Sequence, residues 1–114
     1  MPYIHTKVSN EISPEQEKSL KTQLGEAISL LPGKSEQWLM LDFEQQCHMY
    51  FQGNQNNPCA MVEVKVFGGF TGEQYEALTE KISQIFHQVL GIQPSRIYVT
   101  YSEFEHWGWN GSNF

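Results

Sequence analysis

The chain opens on Met1-Pro2, and Pro2 is its most chemically distinctive residue. Initiator methionines are generally trimmed when a small residue follows, and proline qualifies. Trimming here would leave a secondary amine at the head of the alternating segment Pro2-Tyr-Ile-His-Thr-Lys-Val8. A free α-amino group has a pKa of about 8, below that of other ordinary protein amines. It is therefore the amine most readily held neutral, as a base, near pH 7. A Met-Pro start alone is a weak signal, because short motifs recur without function. The other reactive residue types offer less. His5, His48, His87 and His106 lack metal-ligand spacing, and Cys47 and Cys59 form neither a metal motif nor a disulfide framework.

Length and charge narrow the classes. The 114 residues suffice for a single domain, 1–114, and are too few for two separate cores. A net charge of −6, with only seven Lys and Arg spread singly, argues against a nucleic-acid surface. No apolar run approaches the ~20 residues of a membrane span. No charged n-region precedes an apolar h-region, so a cytoplasmic protein whose mature chain begins at residue 1 or 2 is expected. Asn110-Gly-Ser112 is a glycosylation sequon that matters only on secretion.

The elements that must position Pro2 are written twice. A shift of 58 residues lays Ile4, Thr6 and Val8 on Val62, Val64 and Val66, and Ser13 on Thr71. It continues through Leu20, Leu24, Ile28 and Leu31 onto Leu78, Ile82, Phe86 and Val89, then Gly33 onto Gly91. Leu39, Leu41 and Phe43 close on Ile97, Val99 and Tyr101. Such self-similarity in type and period marks a duplicated unit. The halves, about 1–45 and 59–103, each read as strand, helix, strand, from period-two alternation and a helical apolar face. Ser13-Pro14 and Thr71-Gly72 are helix starts, and Gly33 and Gly91 the expected stops.

Right-handed crossovers then give an α+β fold: two β-α-β units forming a four-stranded sheet with both helices on one face. Cys47–Phe51 reads as a short edge strand, and 104–114 as an aromatic, Gly-containing tail. Ile4, Val62, Leu39 and Val99 should lie beneath the helices. Tyr3, His5, Lys7, Trp38, Met40, Met61, Glu63, Lys65 and Tyr98 should lie on the open face. A half-apolar open sheet on a small domain implies burial against another subunit.

The chain also carries Pro32-Gly33-Lys34 after the first helix and Pro58-Cys59-Ala60 before the third strand. Arg96-Ile-Tyr-Val-Thr-Tyr101, Gly108-Trp109-Asn110 and a final Phe114 follow. With Met1-Pro2, in this order, they resemble the macrophage migration inhibitory factor family of the tautomerase superfamily over essentially the whole length. The resemblance implies a homotrimer with helices outside and sheets around a central channel. It also implies keto–enol tautomerisation of enolisable small molecules such as phenylpyruvate, without a cofactor or metal.

On that resemblance Pro2 is the base and Lys34 the pocket lysine. Val66 and Phe67 supply backbone and apolar contacts. Tyr98 comes from the neighbouring subunit, and Trp38, Trp109 and Phe114 surround the pocket mouth. Thr100 stands where the best-known members have an asparagine donor, and Phe67 is bulkier than the usual aliphatic residue. The family's Cys-x-x-Cys is broken as Cys59-Ala-Met-Val62, so no dithiol activity is expected. Animal members also signal through receptors and leave cells without a leader. That alternative, with a vestigial pocket, finds no identifying surface motif here.

Carbon-to-oxygen proton transfer needs a base near the α-carbon and a positive group near the developing enolate. At a pKa near 8 only about one-tenth of Pro2 would be neutral at pH 7, and lowering it by roughly two units would leave most of it neutral. An apolar pocket and the Lys34 cation are the two available causes. Lys34, just past a helix C-terminus, also suits the helix dipole without any substrate.

Overall fold

The computed structural model describes residues 1–114. Helix α1, Pro14–Ala27, begins where Ser13 caps it: Gln16 N–H donates to Ser13 Oγ, and Ser13 N–H donates back to the Gln16 side chain. Helix α2, Gly72–Leu90, begins with the same reciprocal pair between Thr71 and Gln74. Each pair satisfies two of the backbone donors that a helix start leaves free.

The helix ends differ between the halves, and α1 does not run to Gly33. It stops at Ala27 and tightens into a 3₁₀ turn, Ile28–Leu30. Leu31 is extended (φ −89°, ψ 112°) because Pro32 follows it and disfavours the helical region for its predecessor. The second half has Leu90 at the matching position, so α2 continues to Gly91, whose left-handed backbone (φ 70°) ends it.

Strands β1 (Pro2–Val8), β2 (Met40–Glu44), β3 (Ala60–Phe67) and β4 (Ile97–Phe104) form one sheet in the order β2-β1-β3-β4. Each crossover pair is parallel, Ile4 beside Leu41 and Val62 beside Val99, and the two units join antiparallel with Pro2 beside Val66. Both helices pack on one face. Ile4, Val62, Val64 and Val66 meet Leu20, Leu24 and Ile28 of α1 and Leu78, Ile82 and Phe86 of α2 in a single core. Leu41 and Val99 flank that core half-buried, on the same face. The other face carries half-buried Tyr3, His5, Met61, Glu63 and Lys65, and Met40 and Tyr98 stand 67% and 60% exposed on it.

Three local expectations change. Cys47–Phe51 is not a strand; only Phe51 bridges, to Asn54, across a turn at Gln52-Gly53. Gln46 takes a left-handed backbone (φ 54°) that turns the chain out of β2, and Cys47 N–H donates to Val8 O instead. Trp38 is not on the sheet but ends a 3₁₀ turn, Glu36–Trp38, that leads into β2. The C-terminal tail is a hairpin of β5 (Gly108–Trp109) and β6 (Ser112–Asn113). Its turn is Asn110-Gly111, both at positive φ, the backbone that two-residue hairpins favour.

Candidate active site

β1 delivers the chain's first residues to the sheet end where β3 finishes. Pro2 is buried beside Val66, and Phe67 N–H donates to Met1 O at 3.2 Å. Lys34, carried on the loop after α1, donates from Nζ to Phe67 O at 3.0 Å and lies 5.6 Å from the Phe70 ring. The loop bearing Phe70 is itself tied down. Glu103 of β4 accepts from Phe70 N–H and from the Tyr75 hydroxyl. Those two bonds hold the Glu103 carboxyl below its usual range.

Lys34 and burial act together on the chain's terminal amine. The Met1 ammonium is pulled down to about 6, first by desolvation, then by the hydrogen bond and positive charge of Lys34. Both causes disfavour the charged form of an amine at this place.

An aromatic wall faces the amine. Trp38 meets Trp109 edge-on at 5.1 Å, Trp109 stacks on Phe114 at 6.3 Å, and Phe114 leans on Phe67 at 5.7 Å. The last hairpin thus carries two aromatic rings to the start of the chain, and Phe114 N–H donates to Trp107 O to close its end. Beneath Trp38 and Trp109 lies a cavity of about 610 Å³, lined also by Met1, Pro2, Tyr3 and Asp42.

Pro2, Lys34, Phe67, Trp38, Trp109 and Phe114 therefore gather at one end of the sheet. Val66 joins them by backbone only, because its side chain is wholly buried in the core. Tyr98 and Thr100 do not join them. They pair with Met61 and Glu63, whereas Pro2 sits level with Val66 and Glu103. Five residue steps along a strand place Tyr98 ~17 Å from that level. Its ring instead meets Phe51 edge-on at 5.0 Å.

The sequence reading missed Asp42 and gave Tyr3 no role. Tyr3 donates to Asp42 Oδ2, His5 Nδ1 pairs with the same carboxylate, and His5 Nε2 reaches Glu44 Oε2 at 2.8 Å. Burial works against the Asp42 charge, but the bonds from Tyr3 and His5 outweigh it and hold the carboxyl low. The bond to Asp42 pushes the Tyr3 hydroxyl up to about 12. The only signal in the sequence was an acid in β2 opposite a Tyr-x-His in β1. No three His, Cys, Asp or Glu side chains converge as a metal site.

Known proteins repeat this architecture. The family model described as macrophage migration inhibitory factor (MIF) matches residues 1–114. The macrophage migration inhibitory factor of Meriones unguiculatus is 27% identical over 113 residues, 97% of this chain and 95% of that protein. The crystal structure of Leishmania major MIF2 superposes with a TM-score of 0.92 at 32% identity, covering 100% of this chain and 97% of that one. Pt0534, solved after inactivation by 2-oxo-3-pentynoate, gives a TM-score of 0.81 at 25% identity over 96% of this chain and 93% of its own. With its doubled β-α-β fold and its N-terminal amine set beside Lys34, the chain belongs to the macrophage migration inhibitory factor family of the tautomerase superfamily.

Proposed function

We propose that the protein is a keto–enol tautomerase of aryl 2-oxo acids, with the Pro2 nitrogen, freed by removal of Met1, as its base. The observation that carries this reading is the setting of the terminal amine. At Met1 it is already lowered to about 6 by burial and by Lys34. Pro2 lies one residue further on, at a buried position, and its freed nitrogen is assigned the same two causes. A base with a pKa near 6 is about nine-tenths neutral at pH 7, against about one-tenth for an ordinary terminus.

The step itself is a proton shuttle. The neutral Pro2 nitrogen takes a proton from the carbon beside the ketone, and negative charge develops on the enolate oxygen. Lys34, fixed by Phe67 O, offers its charge to that oxygen or to the adjacent carboxylate. Protonated Pro2 then delivers that proton to the enolate oxygen, giving the enol, and the reverse sequence ketonises an enol. Trp38, Trp109 and Phe114 give the aryl group an apolar slot. The inactivation of Pt0534 by 2-oxo-3-pentynoate, a 2-oxo acid without an aryl group, supports the 2-oxo acid part of this class. Tyr98 and Thr100 would reach the slot from a neighbouring subunit of a homotrimer.

Turnover of phenylpyruvate, followed by enol absorbance on protein whose N-terminal mass has been measured, tests the reading. Protein lacking Met1 should be active, and Pro2→Ala should lose at least ~100-fold in kcat/KM, the scale of a general-base contribution. Unchanged turnover in Pro2→Ala would remove Pro2 from the mechanism.

A further inference from the structure

The Tyr3–Asp42 pair lies in the wall of the same cavity as Pro2, Trp38 and Trp109, and the reaction outlined above does not use it. Its chemistry is opposite to that of Lys34. Asp42 is acceptor-only when ionised, and the Tyr3 hydroxyl spends its proton on Asp42, so the pair offers oxygen lone pairs.

The surroundings are short of positive charge. Asp42 and Glu44 of β2 flank His5, one imidazole shared between two carboxylates. Glu63 of β3 stands beside His5 in register. Of the nearby cations, Lys65 lies 5.9 Å from the Tyr3 ring and Lys7 pairs in register with Glu44. The rise of the Tyr3 hydroxyl to about 12 reflects the bond to Asp42 first, and the charges of Asp42, Glu63 and Glu44 add to it. The cavity wall is thus anionic at Tyr3–Asp42, while Lys34 lies beside the amine and outside the lining.

We propose that the Tyr3–Asp42 pair sets ligand specificity: it favours an aryl acid bearing a neutral hydrogen-bond donor, such as a hydroxyl, away from its carboxylate, and rejects one bearing a second carboxylate there. A hydroxyl gains an acceptor at Asp42. A second carboxylate meets the like charge of Asp42, whose side chain is half exposed, so water screens part of the repulsion but the two charges still lie side by side. The inference rests on the tautomerase reading only for which end of the ligand reacts.

Calorimetric binding of two unreactive probes, 4-hydroxyphenylacetate and 4-carboxyphenylacetate, separates the two ideas. The intact protein should bind the hydroxyl probe at least ~10-fold more tightly, and Asp42→Asn should shrink that ratio to about threefold or less. Tyr3→Phe provides a second variant, folded state being checked by circular dichroism. It should weaken the hydroxyl probe severalfold while the carboxyl probe stays excluded. Equal selectivity in all three proteins, or binding of neither probe, overturns the proposal. Probe selectivity that depends on Asp42 without any phenylpyruvate turnover upholds it and overturns the tautomerase reading alone.

Discussion

Lys34 acts on the terminal amine through a hydrogen bond and through its charge, and burial contributes more than either. Both Lys34 effects favour the neutral amine, so the base is gained as pH rises through about 6. The kcat/KM for phenylpyruvate should climb across that acidic limb and level off by neutrality. In Lys34→Gln the burial remains but the cation is gone, so the ammonium form survives to higher pH. The acidic limb should shift upward, and kcat/KM should fall by about 10- to 100-fold as the developing charge loses its partner. A pH–rate profile of the variant that overlays the parent would show that Lys34 serves only the loop that carries it.

At the scale of elements, hydrophobic period and caps were legible because they are local. Ser13 and Thr71 announce their helices three residues ahead of Gln16 and Gln74, and the repeat transfers each reading to the other half. Asn110-Gly111, part of the Asn110-Gly-Ser112 sequon, also encodes the hairpin that brings Trp109 and Phe114 to Pro2, a turn signal present in the sequence but not read from it. Features set by distant partners were not legible. Arg96 is buried without a carboxylate, its guanidinium bound to the carbonyls of Phe51, Asn54, Asn57 and Pro58, which fixes the 51–58 loop. It also lies 5.3 Å from the Phe51 ring that supports Tyr98. Lysine cannot reproduce that planar fork. Arg96→Lys should cost about 2 kcal/mol in denaturant unfolding, from buried carbonyls left unpaired. A loss within about 0.5 kcal/mol, the scale of an ordinary surface substitution, would mean the loop holds itself.

At the scale of the whole molecule, the doubled unit leaves one sheet face without helices and places Tyr98 and Pro2 at different levels of one sheet. One chain keeps Tyr98 away from Pro2, and the proposed homotrimer is what would bring a neighbour's Tyr98 to it. Pro2→Ala and Tyr98→Ala, each impaired alone, should recover turnover when co-refolded, since mixed trimers contain some intact pockets. Absence of recovery in a mixture shown by native mass spectrometry to have exchanged subunits would place Tyr98 outside the pocket. The base itself is read most directly by ¹⁵N NMR of proline-labelled, assembled protein. Of its five prolines only Pro2 can become an amine, and the other four nitrogens are amides that do not titrate. A Pro2 resonance titrating at about 6, the value proposed for this base, is the expected result. A Pro2 nitrogen that titrates at about 8, the ordinary terminal value, or that stays an amide at every pH would contradict it.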